Sequence, residues 1–367
     1  MANDIGIGLV GAGHMNETYA ECVTNWNKGT KLVAVGGGTR APKLAAEHGV
    51  DAEPDVESLL LRDDVDAVIV ATPHQTLVDY TIAAAERGKH VLVENPMGTN
   101  VADCNAAIVA CEKAGVNLSV IKTLRFRGTF SRTKELIDQG RIGDVLMMGV
   151  TSLWALADSD KQPWSELPES GSYFWARGTH IFDATRWLVG RDATAVFGNT
   201  MSTTGIGWQA PSAMVQVTFE GGAGAQVWAS HEVPKPAFPD SQYRFRIWGE
   251  KGMIDADGFG KLRIATAGEW EDVWEQPPIF SAANPTQSVM TPERLLGYHT
   301  QIQDFVDSIN GGRSPAVTGE DGKAAVEMAE AAHLSALTGS SVKLPLPHAK
   351  GGHQFDGATV DRSRIPG

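Results

Sequence analysis

The sequence predicts a two-domain α/β protein: a doubly wound parallel sheet at the N-terminus, then an α/β domain on a large, open, mainly antiparallel sheet. Three observations carry this. Residues 1–122 alternate short, wholly apolar runs with helix-patterned segments, which is how parallel strands covered on both faces read. The later part carries runs separated by glycine-bearing turns, as antiparallel strands do, and then two long helical patterns. A chain of 367 residues is also long enough for two cores and too long to be comfortable as one.

The apolar runs are IGIGLV (5–10), KLVAVG (31–36), DAVIVA (66–71), HVLVE (90–94) and NLSVI (117–121). Between them lie segments such as TLVDYTIAAAERG (76–88), with apolar positions at helical spacing and a glycine stop. Right-handed crossovers of this kind wind a sheet on both faces, giving a first domain over 1–123. The pattern changes after Phe126. A helix is expected over 129–140, a strand over 144–154, and a helix over about 172–188 beyond a tryptophan-rich loop. Strands follow at 195–201, 213–220, 224–233, 243–249 and 261–267, with turns such as EGGAG and GEKG between them. Helices over about 292–310 and 319–338 complete a second domain, 124–347. The polar, glycine-rich tail 348–367 reads as an arm over the surface or a partner subunit, or as disordered.

Composition excludes several classes. A net charge of −13 argues against sequence-independent nucleic-acid binding and against docking on anionic lipid, both of which need basic surface. No apolar run approaches the roughly 20 residues of a membrane span. The N-terminus lacks a basic segment followed by an apolar core and a cleavage site, so a reducing cytoplasm is expected. Cys22, Cys104 and Cys111 form no metal-like cluster; Cys104 and Cys111, seven apart on a helix, should be small buried apolar groups.

GLVGAGHMN follows the first strand and opens a helix pattern. Gly11 permits a tight turn and Gly13 lets the backbone approach a pyrophosphate at a helix N-terminus, with His14 and Met15 in the same turn. The third glycine position of this fingerprint is Asn16, whose amide is available to donate to a phosphate. The second strand ends in AVGGGTRAPK, with no acid to read a ribose 2′-hydroxyl. Thr39 and Arg40 suit a 2′-phosphate instead, so NADP is favoured over NAD. Thr72, Pro73 and His74 follow the third long apolar run, where side chains border the nicotinamide ribose.

These runs, with LRFRGTFSRTKELIDQGRIGDV, GTHIFDATRWLVG and YHTQIQDFVDSINGGRSPAV, resemble the Gfo/Idh/MocA oxidoreductases over nearly the whole chain. The resemblance implies a Rossmann domain and a C-terminal domain whose open sheet serves oligomerisation, as a dimer or tetramer. It also implies hydride transfer between nicotinamide and a hydroxyl or ketone of a sugar, glycoside or cyclitol. Two motif positions depart from the family. Where relatives read Glu-Lys-Pro this chain reads Glu94-Asn95-Pro96, and an asparagine cannot shuttle a proton near neutral pH. Where relatives read Asp-x-Gly-x-His it reads Ala176-Arg177-Gly178-Thr179-His180, keeping the histidine and losing its aspartate.

His180 is therefore the expected acid/base group, and Lys122, at the end of the neighbouring strand, is a candidate to take over part of the lysine's role. Asn95 is expected to position cofactor or substrate, beside Glu94. Asp183, one turn beyond His180, is expected to orient the imidazole or to pair structurally. Arg125 is expected to bind substrate or to brace the domain junction. Tyr173, on the His180 face of its helix, and Trp164, in the loop before it, are further candidate substrate contacts. Two alternatives stay open: a cofactor-retaining enzyme with no net redox, and an inactive nucleotide-binding sensor.

Overall fold

The computed structural model describes residues 4–154, 173–201, 212–234, 243–277 and 290–347. Trp164 and the tail 348–367 lie outside them.

Six parallel strands form the first sheet: β1 (Ile5–Val10), β2 (Thr30–Gly36), β3 (Asp51–Glu53), β4 (Ala67–Val70), β5 (His90–Val93) and β6 (Leu118–Val120). Their order is β3-β2-β1-β4-β5-β6, so the strand order reverses beside β1 and a crevice opens at the strand C-termini there. Helices α1 (His14–Asn25), α2 (Ala41–His48), α3 (Val56–Leu60), α4 (Leu77–Glu86) and α5 (Val101–Ala114) provide the crossovers. The central strands are apolar because both faces are covered: Val68, Ile69, Val91 and Leu92 are fully buried. β3, too short to read from pattern, was not expected.

Beyond α6 (Gly128–Asp138), β7 (Val145–Leu153) and α7 (Tyr173–Val189) lead into the second sheet. It continues with β8 (Ala193–Met201), β9 (Ser212–Phe219), β10 (Gly224–Ser230), β11 (Tyr243–Gly249), β12 (Met253–Asp257), β13 (Lys261–Ala265), β14 (Trp270–Glu275) and β15 (Val342–Lys343). The order is β14-β13-β12-β11-β7-β10-β9-β8-β15, antiparallel throughout except between β7 and β10. β12, β14 and β15 were not anticipated. β14 is largely exposed at the sheet edge and has no hydrophobic alternation to betray it.

The inner face of this sheet packs on α7 and on α9 (Gly319–Thr338), whose N-terminus is fixed by a capping box between Thr318 and Asp321. The outer face presents Met147, Phe197, Met214, Trp228 and Trp248, all exposed, with Trp228 beside Met214 and Trp248 beside Met147 in register. The helix α8 (Pro292–Asn310) returns to the first sheet: Leu295, Ile302, Phe305 and Val306 are buried in one core with Ile7, Leu9 and Tyr19. Its Gln301 donates to Val120 O (2.7 Å) and accepts from Lys122 N (2.9 Å), which fixes the chain just after β6. The two units are thus laced together at the place where the crevice opens. No described helix is long and apolar enough to cross a membrane.

Candidate active site

The first turn is shaped for a ligand's backbone approach. Gly11 has φ +95°, and a Cβ there would stand 2.7 Å from Ala71 O, so only glycine fits. A Cβ at Gly13 would meet just the Arg40 guanidinium, at 3.6 Å. Gly13 also caps α1 without a side-chain hydrogen bond, leaving the first N–H groups of the helix for an anion. Asn16 differs from expectation. Its buried amide donates to Val10 O (3.0 Å) and Ala71 O (3.1 Å), tying β1 to the end of β4. Both amide hydrogens are spent inside the turn, so Asn16 holds the loop in shape and has none left for a phosphate. Met15 is half-buried, and His14 faces Glu17 at 3.5 Å.

At the end of β2 the chain passes through Gly37 and Gly38, both left-handed, to exposed Thr39 and Arg40. These glycines let the loop fold back so that Arg40 reaches the α1 turn. Next to it, Thr72 Oγ1 accepts from Thr76 Oγ1 (2.8 Å), which also donates to Pro73 O (2.9 Å), fixing the short helical turn that buries His74.

The ends of β5 and β6 carry the centre of the site. Glu94 is sealed off: Tyr19 OH donates to its Oε1, and Asn95 N donates to Oε2 at 2.6 Å. Burial raises its carboxyl above the usual range, against the pull of those hydrogen bonds and of Lys122 and Arg177. Asn95, before the cis peptide to Pro96, spans the two domains, donating from Nδ2 to Ala176 O at 2.7 Å. Its Oδ1 accepts from Thr179 Oγ1 (2.8 Å) and from the ammonium of Lys122. Lys122 is 1% exposed and also donates to Thr179 O at 3.0 Å. Burial pulls its ammonium down to about 8, with the Asp183 charge working in the opposite direction.

Helix α7 sets His180 against this cluster, and its ring is half-buried. Nδ1 is sealed from solvent with no hydrogen-bond partner among the described residues. Burial first, then the positive charges of Lys122, Arg177 and Arg127, hold the imidazole well below its ordinary range, so it is neutral at physiological pH.

Asp183 does not orient it. That carboxylate receives a bidentate pair from Arg125 (Nε 2.9 Å, Nη2 2.6 Å), and Arg125 also reaches Asp321 at 3.2 Å. Arg186 closes the network on Asp321 at 2.8 Å. Asp183 and Arg125 thus take the structural one of the two roles expected for each, in a buried brace between the segment after β6, α7 and α9. Tyr173 opens α7, but its side chain lies outside the described ones.

The sequence missed Thr179, Tyr19, Gln301 and Arg127 as parts of this region. Thr179 lies inside the recognised motif, where its position is variable in type. The others meet partners 75 or more residues away, as in the Tyr19–Glu94 separation of 75 and the Lys122–Gln301 separation of 179, and no local pattern reports such pairs.

A parallel sheet of this order, opening on a glycine turn and facing a histidine-bearing helix, defines the class of dinucleotide-dependent oxidoreductases. The chain belongs to the Gfo/Idh/MocA oxidoreductase family: the model of its NAD-binding Rossmann fold matches residues 5–122, and that of its C-terminal alpha/beta domain matches 134–344. It is 28% identical over 345 residues to a myo-inositol 2-dehydrogenase of Thermotoga maritima, covering 92% of this chain and 98% of that one. A D-xylose 1-dehydrogenase (NADP(+)) of Haloferax volcanii is 26% identical, covering 83% and 89%. Among solved structures, a levoglucosan dehydrogenase in complex with NADH and levoglucosan superimposes with a TM-score of 0.79 at 21% identity, covering 93% of this chain and 100% of that one. At that identity the likeness speaks for the fold.

Proposed function

We propose that the protein is an NADP-preferring dehydrogenase acting on a hydroxyl, or the matching ketone, of a sugar, glycoside or cyclitol-like substrate. The single observation that carries this is the His180 imidazole, its Nδ1 unpartnered among the described residues, set on α7 against the Asn95–Lys122 pair at the mouth of the first sheet. The named relatives that act on inositol and xylose support the substrate class.

The open turn Gly11–Gly13 and the uncapped start of α1 would hold the dinucleotide's phosphates, with Thr39 and Arg40 on a 2′-phosphate. Thr72, Pro73 and His74 would border its ribose. When bound, nicotinamide supplies the hydride acceptor for oxidation and the hydride donor for reduction. His180 takes the hydroxyl proton in oxidation and returns it in reduction. Its Nδ1 is sealed, which leaves Nε2 as the nitrogen a substrate reaches. Lys122 is too buried to meet substrate directly. It acts as a positioning residue: it fixes Asn95 and holds a positive charge within the site, which favours an oxygen that becomes anionic in the transition state. In oligomers, the apolar outer face of the second sheet is covered by a second copy.

The test is reduction of NADP+ with a panel of sugars and cyclitols, comparing wild type with His180→Ala. A loss of about 10²–10⁴-fold in turnover is expected. Absence of turnover across the panel, or an unaffected variant, overturns the reading.

A further inference from the structure

Oxidising a carbinol needs more than a base. While the hydroxyl proton and the hydride leave, the oxygen carries negative charge until its double bond to carbon is complete, and a donor aimed at it lowers the barrier. Asn95 offers no charge, and its amide is committed to Ala176 O, Thr179 and Lys122. The Lys122 ammonium is committed as well, to Asn95 and to Thr179 O at 3.0 Å, and is 1% exposed. A cation that donates to the reacting oxygen has to come from elsewhere.

Arg127 stands on the same segment, just past the short helical turn Thr123–Phe126. Its stem lies against α8, where a Cβ on Gly297 would be 3.5 Å from Arg127 Cγ. Its guanidinium lies 5.2 Å from the ring centroid of Phe259, in the turn between β12 and β13. The side chain is thus held at the junction of the two domains, since α8 packs on the first sheet. Its Nη1 is sealed from solvent and has no hydrogen-bond partner among the described residues. The residue as a whole is only half-buried, so part of the side chain stays open to a ligand. Burial, the largest effect, disfavours its charge, and the phenols of Tyr298 and Tyr243 favour it. A guanidinium kept this way costs desolvation that a contact with one aromatic face offsets only in part. Such a cost persists where function uses the group.

Its place relative to the acid/base group is the second observation. After burial, the charges that hold the His180 imidazole neutral include that of Arg127, so the two groups stand within electrostatic reach. The segment after β6 therefore carries three cations with different commitments. Lys122 is bonded to Asn95 and α7, Arg125 is paired with Asp183, and Arg127 keeps a donor unused.

We propose that Arg127 is a further catalytic residue: its guanidinium donates to the substrate oxygen that exchanges a proton with His180 and stabilises the negative charge which that oxygen carries in the transition state. This goes beyond the dehydrogenase reading given above and rests on it. In oxidation the O–H bond breaks toward His180 Nε2, the C–H pair leaves as hydride for the oxidised nicotinamide, and the C=O bond forms. Arg127 neither gains nor loses a proton, and arginine suits the task because its charge does not titrate in a folded protein.

The experiment compares the full-length wild type with Arg127→Met, Arg127→Lys and Arg127→Ala. NADP+ reduction is followed on a panel led by myo-inositol, D-xylose and D-glucose, and thermal unfolding is measured without ligand. On the substrate that the wild type turns over best, Arg127→Met should lower kcat by about 10²–10³-fold with little change in KM. Arg127→Lys should keep part of the activity, and millimolar guanidine hydrochloride should restore part of it to Arg127→Ala where sodium chloride does not. The acidic limb of the kcat profile should move to higher pH in Arg127→Met, because a charge that disfavours the imidazolium is gone. Without ligand, Arg127→Met should unfold at the wild-type temperature or above it, since it removes a buried charge with an unused donor. A loss confined to KM, or a loss that follows a lowered unfolding midpoint and is not rescued by guanidine, overturns the proposal. If the wild type reduces NADP+ with no member of the panel, the dehydrogenase reading falls and this role with it. Wild-type turnover that Arg127→Met matches leaves that reading standing and refutes this role alone.

Discussion

The ammonium of Lys122 donates to the side-chain oxygen of Asn95, so the end of β6 supplies a cation where the end of β5 carries an amide. The exchange is more than a lost lysine. Asn95 also donates to Ala176 O and accepts from Thr179, so one amide uses its donor and acceptor ends to join β5, β6 and α7. A lysine at 95 has no acceptor and could satisfy none of the contacts made to Oδ1.

Asn95→Lys should therefore be destabilising by itself. It sets two ammonium groups in contact in a buried site, where like charges about 4 Å apart repel by about 4 kcal/mol at an effective dielectric of 20. The double variant Asn95→Lys/Lys122→Met removes the repulsion. Thermal unfolding of the four proteins in this cycle should give a favourable coupling of more than about 1 kcal/mol. Additive effects would show that the two side chains do not meet as described.

Lys122 also makes stability depend on pH. Its folded-state value, about 8, lies below the ordinary 10.5, so between those values the unfolded chain binds more protons than the native one. Stability from this residue rises with pH across that window, and below it the buried charge is a constant cost. A shift of this size corresponds to roughly 3 kcal/mol at most. Relative to Lys122→Met, the wild type should gain stability between pH 8 and 10.5 and show a flat difference from pH 6 to 7.5. A difference that stays constant to pH 10.5 would contradict the burial of this ammonium.

How much of this was readable beforehand follows from what each feature depends on. Wholly apolar runs and a glycine turn are local, so the first domain's main strands and the place of Gly11 and Gly13 could be read from the chain, whereas His180 stood out through its resemblance to a family motif. Asn16 shows the limit. Its position in the fingerprint was evident, but its amide's commitment to Val10 O and Ala71 O depends on where β4 ends. Asp183 and Arg125 were read singly, each with a structural role as one of two expectations, and not as partners of one another. Their bidentate pairing joins residues 58 apart, which spacing along one helix cannot report. β12 and β14 were missed because partners across the sheet specify them.

The Arg125–Asp183 pair is 7% and 1% exposed in its side chains, so truncating one partner strands a buried charge. Asp183→Ala should cost about 3–5 kcal/mol in unfolding free energy. Turnover of the protein that remains folded at low temperature should fall far less than in His180→Ala. A loss of activity as severe as that of His180→Ala, with an unchanged unfolding midpoint, would instead place Asp183 in the chemistry.

The outer sheet face offers a separate test. Trp228 and Met214 are directly opposed across β9 and β10, and both are exposed. Charge placed there cannot be buried in an interface without a partner. Trp228→Glu should shift the protein toward monomer in sedimentation or light scattering, with its NADP+ affinity unchanged. If the wild type already sediments as a monomer at micromolar concentration, the face is not a self-association surface.

The cofactor preference turns on Arg40. Its guanidinium reaches within 3.6 Å of where a Gly13 side chain would begin, and the loop Gly37–Gly38–Thr39 carries no carboxylate to repel a phosphate. A charge-assisted hydrogen bond from this group is worth about 1.5–3 kcal/mol. Arg40→Ala should thus weaken NADPH binding by about 10- to 100-fold and leave NADH within a few-fold. Added salt should erode the wild-type preference, because the Arg40 side chain is exposed and its attraction to a phosphate is screened. If NADH already binds the wild type more tightly than NADPH, the basic loop is a solvated surface and the ribose is read elsewhere.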